Sequence, residues 1–356
     1  MNKPFLLLTA FIVFIVTACA PTTPSPPTTP PPSPTPVPTA TLRPVVFEKP
    51  NFIFQGDDPG NPIVTNNPSL EIQNLYINPG AVIFHDGKFH MFFNSFTSWP
   101  GVIQVGYTTS EDGYQWQMVQ EEPVFTTDQI PFGGGKADIS SVIVMEDGTW
   151  VMYFHTVGGG EIGRATAASP LGPWAVDADP VLKPTPKAWD QYGLGWPSVV
   201  VDGSEYRMYY GAQTRDGYAI GFATSTDGIH WTKYNDPATT DEQFAESDPV
   251  FVSEADWEYN KVDRPRVTLS PDGWIMIYQA GTKIEERGLA ASNDGIHWEK
   301  FSANPIFDQD AFPIPNAKTW DTNLLYHEGT YYYFMELGTL SGTDLYLTTF
   351  QGELRK

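Results

Sequence analysis

Cysteine and basic residues are what this sequence has least of. A single cysteine, Cys19, stands in 356 residues. No disulfide can form within the chain, and no thiol nucleophile lies beyond residue 19. Lysine and arginine number 20 against 42 aspartates and glutamates, a formal net charge of −22. So acidic a surface argues against nucleic acid and anionic polymers as partners, and is compatible with a neutral glycan. Long apolar runs are missing too, apart from Phe5 to Val16 near the start, and about a dozen residues are too few to span a bilayer.

What is present at the N-terminus reads as export. Lys3, the apolar run and the small residues before Cys19 have the layout of a secretory signal. Val16-Thr17-Ala18-Cys19 also resembles a bacterial lipobox. Lipidation of Cys19 is favoured because the only cysteine of the chain sits at that position; the alternative is ordinary cleavage near Ala20. The expected domains are a lipoprotein signal peptide over 1–19, a Pro/Thr-rich tether over 20–44 and a folded domain over 45–356. The tether can bury no core and extends like polyproline at about 3.1 Å per residue. The expected location is extracytoplasmic, on a membrane through the lipid on Cys19, and the protein is expected to be a monomer.

Repeats indicate the fold. Ser-x-Asp-Gly-x-x-Trp occurs at Ser110–Trp116, Ser225–Trp231 and Ser292–Trp298, and a copy one residue shorter runs from Ser169 to Trp174. An aromatic strand precedes each copy, and a short Pro-aliphatic strand follows: Pro123–Phe125, Pro180–Leu182, Pro249–Phe251 and Pro305–Phe307. An apolar run ending in a turn lies further upstream. Four strands per unit at this spacing predict propeller blades. The last unit stops without its Pro-aliphatic strand, and an orphan copy, Pro50–Phe54, lies before the first. The expected fold is therefore all-β: a five-bladed β-propeller with four-stranded blades, closed by an N-terminal strand so that no edge stays open. The Asp-Gly and Trp elements are read as hairpin turns and inter-blade packing, which is structure and not chemistry.

Function is expected where innermost strands begin, at the mouth of the central channel. Those positions read Asn78-Pro79-Gly80, Asp138-Ile139-Ser140, Trp196-Pro197-Ser198, Asp263-Arg264-Pro265 and Asp321-Thr322-Asn323. The ends of the second strands add Asn94, His155, Gln279 and Glu336. Clustered carboxylates are what glycosidic bond cleavage needs, since one protonates the leaving oxygen while another activates water or attacks the anomeric carbon. Crowding raises one pKa and keeps an acid protonated near neutrality. The candidate catalytic residues are Asp138, Asp263, Asp321 and Glu336. Asn78, Asn94, His155, Asp190, Trp196, Arg264 and Gln279 are candidates for substrate binding. Each has a plainer reading as a solvated strand end, a turn-former (Asp190) or a blade-bridging cation (Arg264).

The domain from about Val45 to Phe350 resembles the five-bladed β-propeller glycoside hydrolases: the arabinanase- and xylosidase-like family 43, the invertase-like family 32 and relatives acting on mannosides. The resemblance rests on Ala167 to Trp174, on Trp189-Asp190 followed by Trp196-Pro197-Ser198-Val199, and on the Gly-x-Ala-x-Ser-x-Asp-Gly-x-x-Trp runs around Gly221 and Gly288. Asn78-Pro79-Gly80-Ala81 is similar to the first-blade motif of the mannoside-acting relatives. The resemblance implies hydrolysis of an oligo- or polysaccharide and makes Asp138 an orienting, pKa-tuning carboxylate. It requires no cofactor, and a central calcium is found in some relatives. The chain departs from the family 43 pattern at Asn78, where a base Asp is expected, and at Trp196, which has no Glu beside it. Those departures favour the alternative of a glycan-binding propeller lipoprotein without catalysis. A sialidase is disfavoured, because its turns insert a residue between Asp and Gly and its site needs three convergent arginines.

Overall fold

The computed structural model describes residues 52–54, 61–158, 160–307, 311–312 and 314–355. The readings of Cys19, the signal and the tether lie outside the described residues. Blade one comprises β2 (Tyr76–His85), β3 (Lys88–Phe96) and β4 (Gln104–Ser110), with β1 (Ile53–Phe54) belonging elsewhere. Its outer edge is two short pieces, β5 (Gln117–Met118) and β6 (Phe125–Thr126), both paired with β4. Blade two holds β7 (Ala137–Val144), β8 (Trp150–Thr156), β9 (Ile162–Ala167) and β10 (Ala175–Val176). Blade three holds β11 (Leu194–Asp202), β12 (Glu205–Gln213), β13 (Tyr218–Ser225), β14 (Thr232–Lys233) and β15 (Pro249–Phe251). Blade four holds β16 (Val262–Ser270), β17 (Gly273–Ala280), β18 (Arg287–Ser292) and β19 (Trp298–Lys300). Blade five is β20 (Thr322–His327), β21 (Thr330–Thr339) and β22 (Gly342–Gln351), completed by β1 on β22. The fold is a five-bladed β-propeller.

The closure differs in detail from the sequence reading. Ile53–Phe54 pairs with Thr349 and Thr348, the register that Gln117–Met118 takes against Thr109 and Thr108 in blade one. The Pro-aliphatic piece of blade five is instead Pro62-Ile63-Val64, bridging at Val64 to Leu345, where blade one pairs Phe125 with Val105. The same device recurs in blade four. The Asn61 side chain donates to the Leu347 carbonyl and accepts from its N–H, both at 2.9 Å, and Asn304 does the same to Leu289 at 3.0 and 2.9 Å.

The repeated turns are self-contained hydrogen-bond units. Ser110 Oγ accepts from the N–H groups of Asp112 and Gly113, while Asp112 Oδ1 accepts from those of Tyr114 and Gln115. The Ser225 and Ser292 turns repeat the pattern. Gly113, Gly228 and Gly295 sit at φ of +80, +69 and +78, where a side chain would be strained. Each repeat tryptophan then meets, edge to face, an aromatic ring on the second strand of the preceding blade. The pairs are Trp116–Phe334, Trp174–Phe92, Trp231–Tyr153 and Trp298–Tyr209, with centroids 5.7–5.8 Å apart. The tyrosine hydroxyls of Tyr153 and Tyr209 donate to the carbonyls of Gly228 and Gly295 in those turns. The register position in β17 is Ile277, and it faces the one blade whose outer turn lacks a tryptophan. Burial of these rings between blades, at about 25 cal/mol per Å², makes the apolar layers between sheets the main source of stability.

Candidate active site at the channel mouth

The innermost strands place their first residues in one register. Asn78 pairs with Asn94, Asp138 with His155, Gly195 with Gly211 and Asp263 with Gln279. In blade five the Glu336 N–H donates to the Asp321 carbonyl. Just past this level each of the first four ladders slips through a bulge, and Pro79, Pro197 and Pro265 occupy three of those bulges, where a missing N–H costs no ladder bond. One sequence assignment is corrected here. The ring position in blade three is Gly195, and Trp196 stands one residue further on, level with Arg264 and Pro79. Trp196 and Arg264 both adopt left-handed backbone, at φ +47 and +48.

Blades one, two and five meet through side chains. Asn94 Nδ2 donates to Asn78 Oδ1 at 2.7 Å and to Asp138 Oδ1 at 2.5 Å, and Asn78 Nδ2 reaches Asp321 Oδ2 at 3.5 Å. Arg264 Nη1 donates to Asp321 Oδ1 at 2.7 Å and to the Trp320 carbonyl at 3.1 Å. Arg266 Nη2 lies 3.8 Å from the same Asp321 oxygen. The Asp138 carboxyl hydrogen-bonds Asp321. The Trp320 N–H donates to Glu336 Oε1 at 3.0 Å.

This arrangement divides the carboxyls. Burial, then the charge of Asp321, push Asp138 well above the usual carboxylate range. Glu336 is raised strongly for the same two reasons. Burial alone would raise Asp321 as well, but Arg264 and Arg266 outweigh it and hold its carboxyl below the ordinary value. Burial depresses His155 to about 3, so its ring is neutral. The cluster therefore pushes its carboxyls in opposite directions, Asp321 toward the ionised form and Asp138 and Glu336 toward the protonated one.

Two cavities open at this mouth, and Arg264 and Trp99 line both. The first, about 380 Å³, is bounded by Asn78, Asp321, Glu336, Trp320, Phe96 and Tyr76. The second, about 390 Å³, is bounded by His155, Trp196, Tyr192, Tyr218 and the glycines around Gly195. The channel thus brings together Asn78, Asn94, Asp138, Asp321, Glu336 and Arg264 on one side, and His155 and Trp196 on the other. Asp263 and Gln279 are buried but line neither cavity. The Asp263 carboxyl fills the space a side chain at Gly211 would need. Asp190 is not brought to the mouth. It is buried, accepts from the Thr185 N–H and holds Lys233 Nζ at 2.5 Å, so its role is to anchor the chain entering blade three. Arg266, Trp320, Trp99 and Tyr192 escaped the sequence reading. Arg266 is visible only as the residue after Pro265, and the exposed loop aromatics carry no periodic signal. Among the described residues no group of three or more His, Cys, Asp or Glu is placed to bind a metal ion.

Comparison with known proteins agrees with the fold. Residues 71–262 match the model of the glycosyl hydrolases family 32 N-terminal domain. An uncharacterized protein of Mycobacterium tuberculosis, Rv1502, is 24% identical over 143 residues, 38% of this chain and 42% of that one. The match thus spans about two-fifths of the length of that curated relative. Among solved structures, a glycosyl hydrolase from Bacteroides ovatus is 16% identical over 88% of this chain and 95% of its own, with a TM-score of 0.59. A protein of the family-130 mannoside phosphorylases, a family containing glycoside hydrolases that target β-1,2 mannosidic linkages in Candida mannan, gives 15%, 89%, 98% and 0.59. A thermostable family-43 glycoside hydrolase gives 15%, 83%, 97% and 0.59. At these identities the structures speak for the fold alone, while the matched family model covers more than half of the sequence: the chain belongs to the glycosyl hydrolase family 32 N-terminal domain family.

Proposed function

We propose that this protein hydrolyses glycosidic bonds in an oligo- or polysaccharide at the channel mouth, in the cavity shared by Asp321 and Glu336. The observation that carries the reading is one buried cluster in which two guanidinium groups converge on Asp321 and hold its carboxyl low, while burial raises that of Glu336. Groups whose surroundings push their pKa values apart have the acid and base assignments that bond cleavage requires. Because Glu336 Oε1 accepts the Trp320 N–H, the proton resides on Oε2. That proton passes to the leaving oxygen as the bond to the anomeric carbon breaks. Asp321 stabilises the developing positive charge and either attacks that carbon or takes a proton from the incoming water; one water is consumed and two hydroxyls result. Asp138 is a positioning group, since it reaches the reaction only through Asp321. Asn78 and Trp320 line the sugar's berth. A cation held in the channel is not needed for any of these steps.

The leader sequence supports export, with the domain held outside the cytoplasm by a lipid on Cys19. Replacing Cys19 by Ala then moves the protein from the membrane to the soluble fraction, and unchanged partition would refute the anchor.

A panel of arabinosides, xylosides, fructans and mannosides tests the chemistry. On the substrate that is turned over, Glu336→Gln loses turnover with poor leaving groups and keeps it with a dinitrophenyl leaving group. Wild-type turnover in both Glu336→Gln and Asp321→Asn ends the assignment. One second reading has an observation behind it: blade three offers Gly195 where the ring elsewhere carries Asn or Asp, and Asp321 is already engaged by Arg264. On that reading the cavity holds glycan without cleaving it, and glycan binding without product from any panel member is its signature.

A further inference from the structure

Arg264 is the wall between the two cavities, and only one of its three side-chain nitrogens is engaged. Nη1 is engaged by Asp321 and the Trp320 carbonyl. Nε is buried without a partner, and Nη2 makes no hydrogen bond among the described residues. The guanidinium lies over the Trp196 ring at 4.1 Å, and Trp196 packs on His155 at 4.7 Å between centroids. Left-handed backbone at a non-glycine residue costs on the order of 1–2 kcal/mol. Two such residues, at equivalent bulge positions of neighbouring blades, stack their side chains on each other. Strain retained in this way marks a site where orientation matters. What is oriented is a guanidinium whose Nη2 is left free to donate.

Basic side chains gather around that guanidinium although the protein as a whole is acidic. Arg266, Arg287 and Lys261 are all close enough to Arg264 to interact electrostatically with it. The acids facing this group are Asp321, Asp263 and Asp138, with Glu336 beside them; of these only Asp321 is held below the ordinary carboxylate value. Arg266 and Arg287 direct donors at the carbonyls of Ser140, Ile284, Glu286, Thr319 and Trp320, and neither is part of the mouth lining, which leaves Arg264 as the guanidinium presented to a ligand.

We infer that Arg264 recognises a carboxylate on the substrate, so that the preferred glycan is a largely neutral chain carrying a uronic acid residue seated at the junction of the two cavities. This rests on the glycan reading of the same site. A guanidinium N–H donates to a carboxylate in a charge-assisted hydrogen bond, about twice as strong as one to a neutral oxygen, and Nη2 is the donor available for it. Trp99 and Tyr192, both exposed at the rim, supply apolar faces for the neighbouring neutral sugars. The overall charge of −22 opposes a polymer of uronic acids, but screening within about 8 Å at physiological salt leaves a single carboxylate inside the cleft to the local field.

The test uses the intact chain and matched ligands: oligosaccharides carrying one glucuronic or galacturonic acid, their methyl esters, and their carboxyl-reduced counterparts, with binding followed by calorimetry. The acid form is expected to bind about tenfold or more tighter than its ester. The preference weakens with added salt and disappears in Arg264→Gln. The acid-to-ester comparison on the wild-type protein stands even if the variant folds poorly. Equal binding of acid, ester and reduced forms overturns the inference and leaves the glycan reading intact. Binding of no member of this set, nor of the neutral panel, overturns both.

Discussion

The turns at the outer rim and the ring at the channel mouth are both repeated from blade to blade, and they use repetition in opposite ways. At the rim the same residues recur because the same local problem recurs. A serine hydroxyl and an aspartate oxygen satisfy four backbone N–H groups, and a tryptophan plugs the next groove at a constant 5.7–5.8 Å. At the mouth one backbone register is kept while the residues change: Asn78, Asp138, Gly195, Asp263, Asp321. A propeller thus separates the positions that hold blades together from those that face the central axis, and only the second set is available for chemistry.

If that separation is right, substitutions in the two regions fail in different ways. The largest effect is expected for Asp321→Asn, which should lower turnover about 10²–10⁴-fold at unchanged substrate affinity, measured as kcat and KM separately. A rim variant, Trp298→Ala, should cost about 2–4 kcal/mol of stability by denaturant titration while each folded molecule keeps its activity; loss of turnover without loss of stability would break the comparison. Gly211→Ala links the two. Its Cβ would collide with the Asp263 carboxyl, and such overpacking costs about 1–3 kcal/mol, so both the melting temperature and the turnover should fall.

The smallest effects are on pH dependence. Activity needs the proton on Glu336, so turnover should decline as pH rises through its raised pKa, and Asp321, held low by Arg264 and Arg266, should set the acid limb. Stability follows the same groups. The proton-binding preference of folded Glu336 favours the folded state below about pH 4, the unfolded carboxyl value, and is lost as pH rises through the folded value. Glu336→Gln should therefore gain melting temperature relative to wild type at pH 8 but not at pH 4. Asp321 has the opposite sign, because its stabilisation is present above the unfolded pKa and lost as pH falls through the lowered one. Asp321→Asn should accordingly lose most at neutral pH, where Arg264 is left unpaired.

Much of the rim was legible because its interactions close within a few residues. The Ser-x-Asp-Gly-x-x-Trp spacing is itself the hydrogen-bond pattern. Closure by the N-terminus was legible as well, but its register was not. Pro62-Ile63-Val64 ends in neither the Phe nor the Leu that closes the other Pro-aliphatic strands, and its assignment comes from Asn61 clamping Leu347 on the far side of the chain. At the mouth the sequence marked Asp138, Asp321 and Glu336 by position, yet it assigned blade three to Trp196 when a bulge puts Gly195 on the ring, and it gave Asp190 a place at the mouth that its buried pair with Lys233 forbids.

By itself, then, the sequence determined the repeat, the number of blades, the turns and the level at which the mouth residues stand in every blade but the third, since all of these follow from local periodicity and from hydrogen bonds between near neighbours. Which carboxyl is ionised was decided only in three dimensions. Asp138 and Asp321 become neighbours through ring closure, and Arg264 and Arg266 reach Asp321 from the next blade. Charge interactions depend on distance through space and on burial, and neither quantity is written in the spacing of residues along the chain.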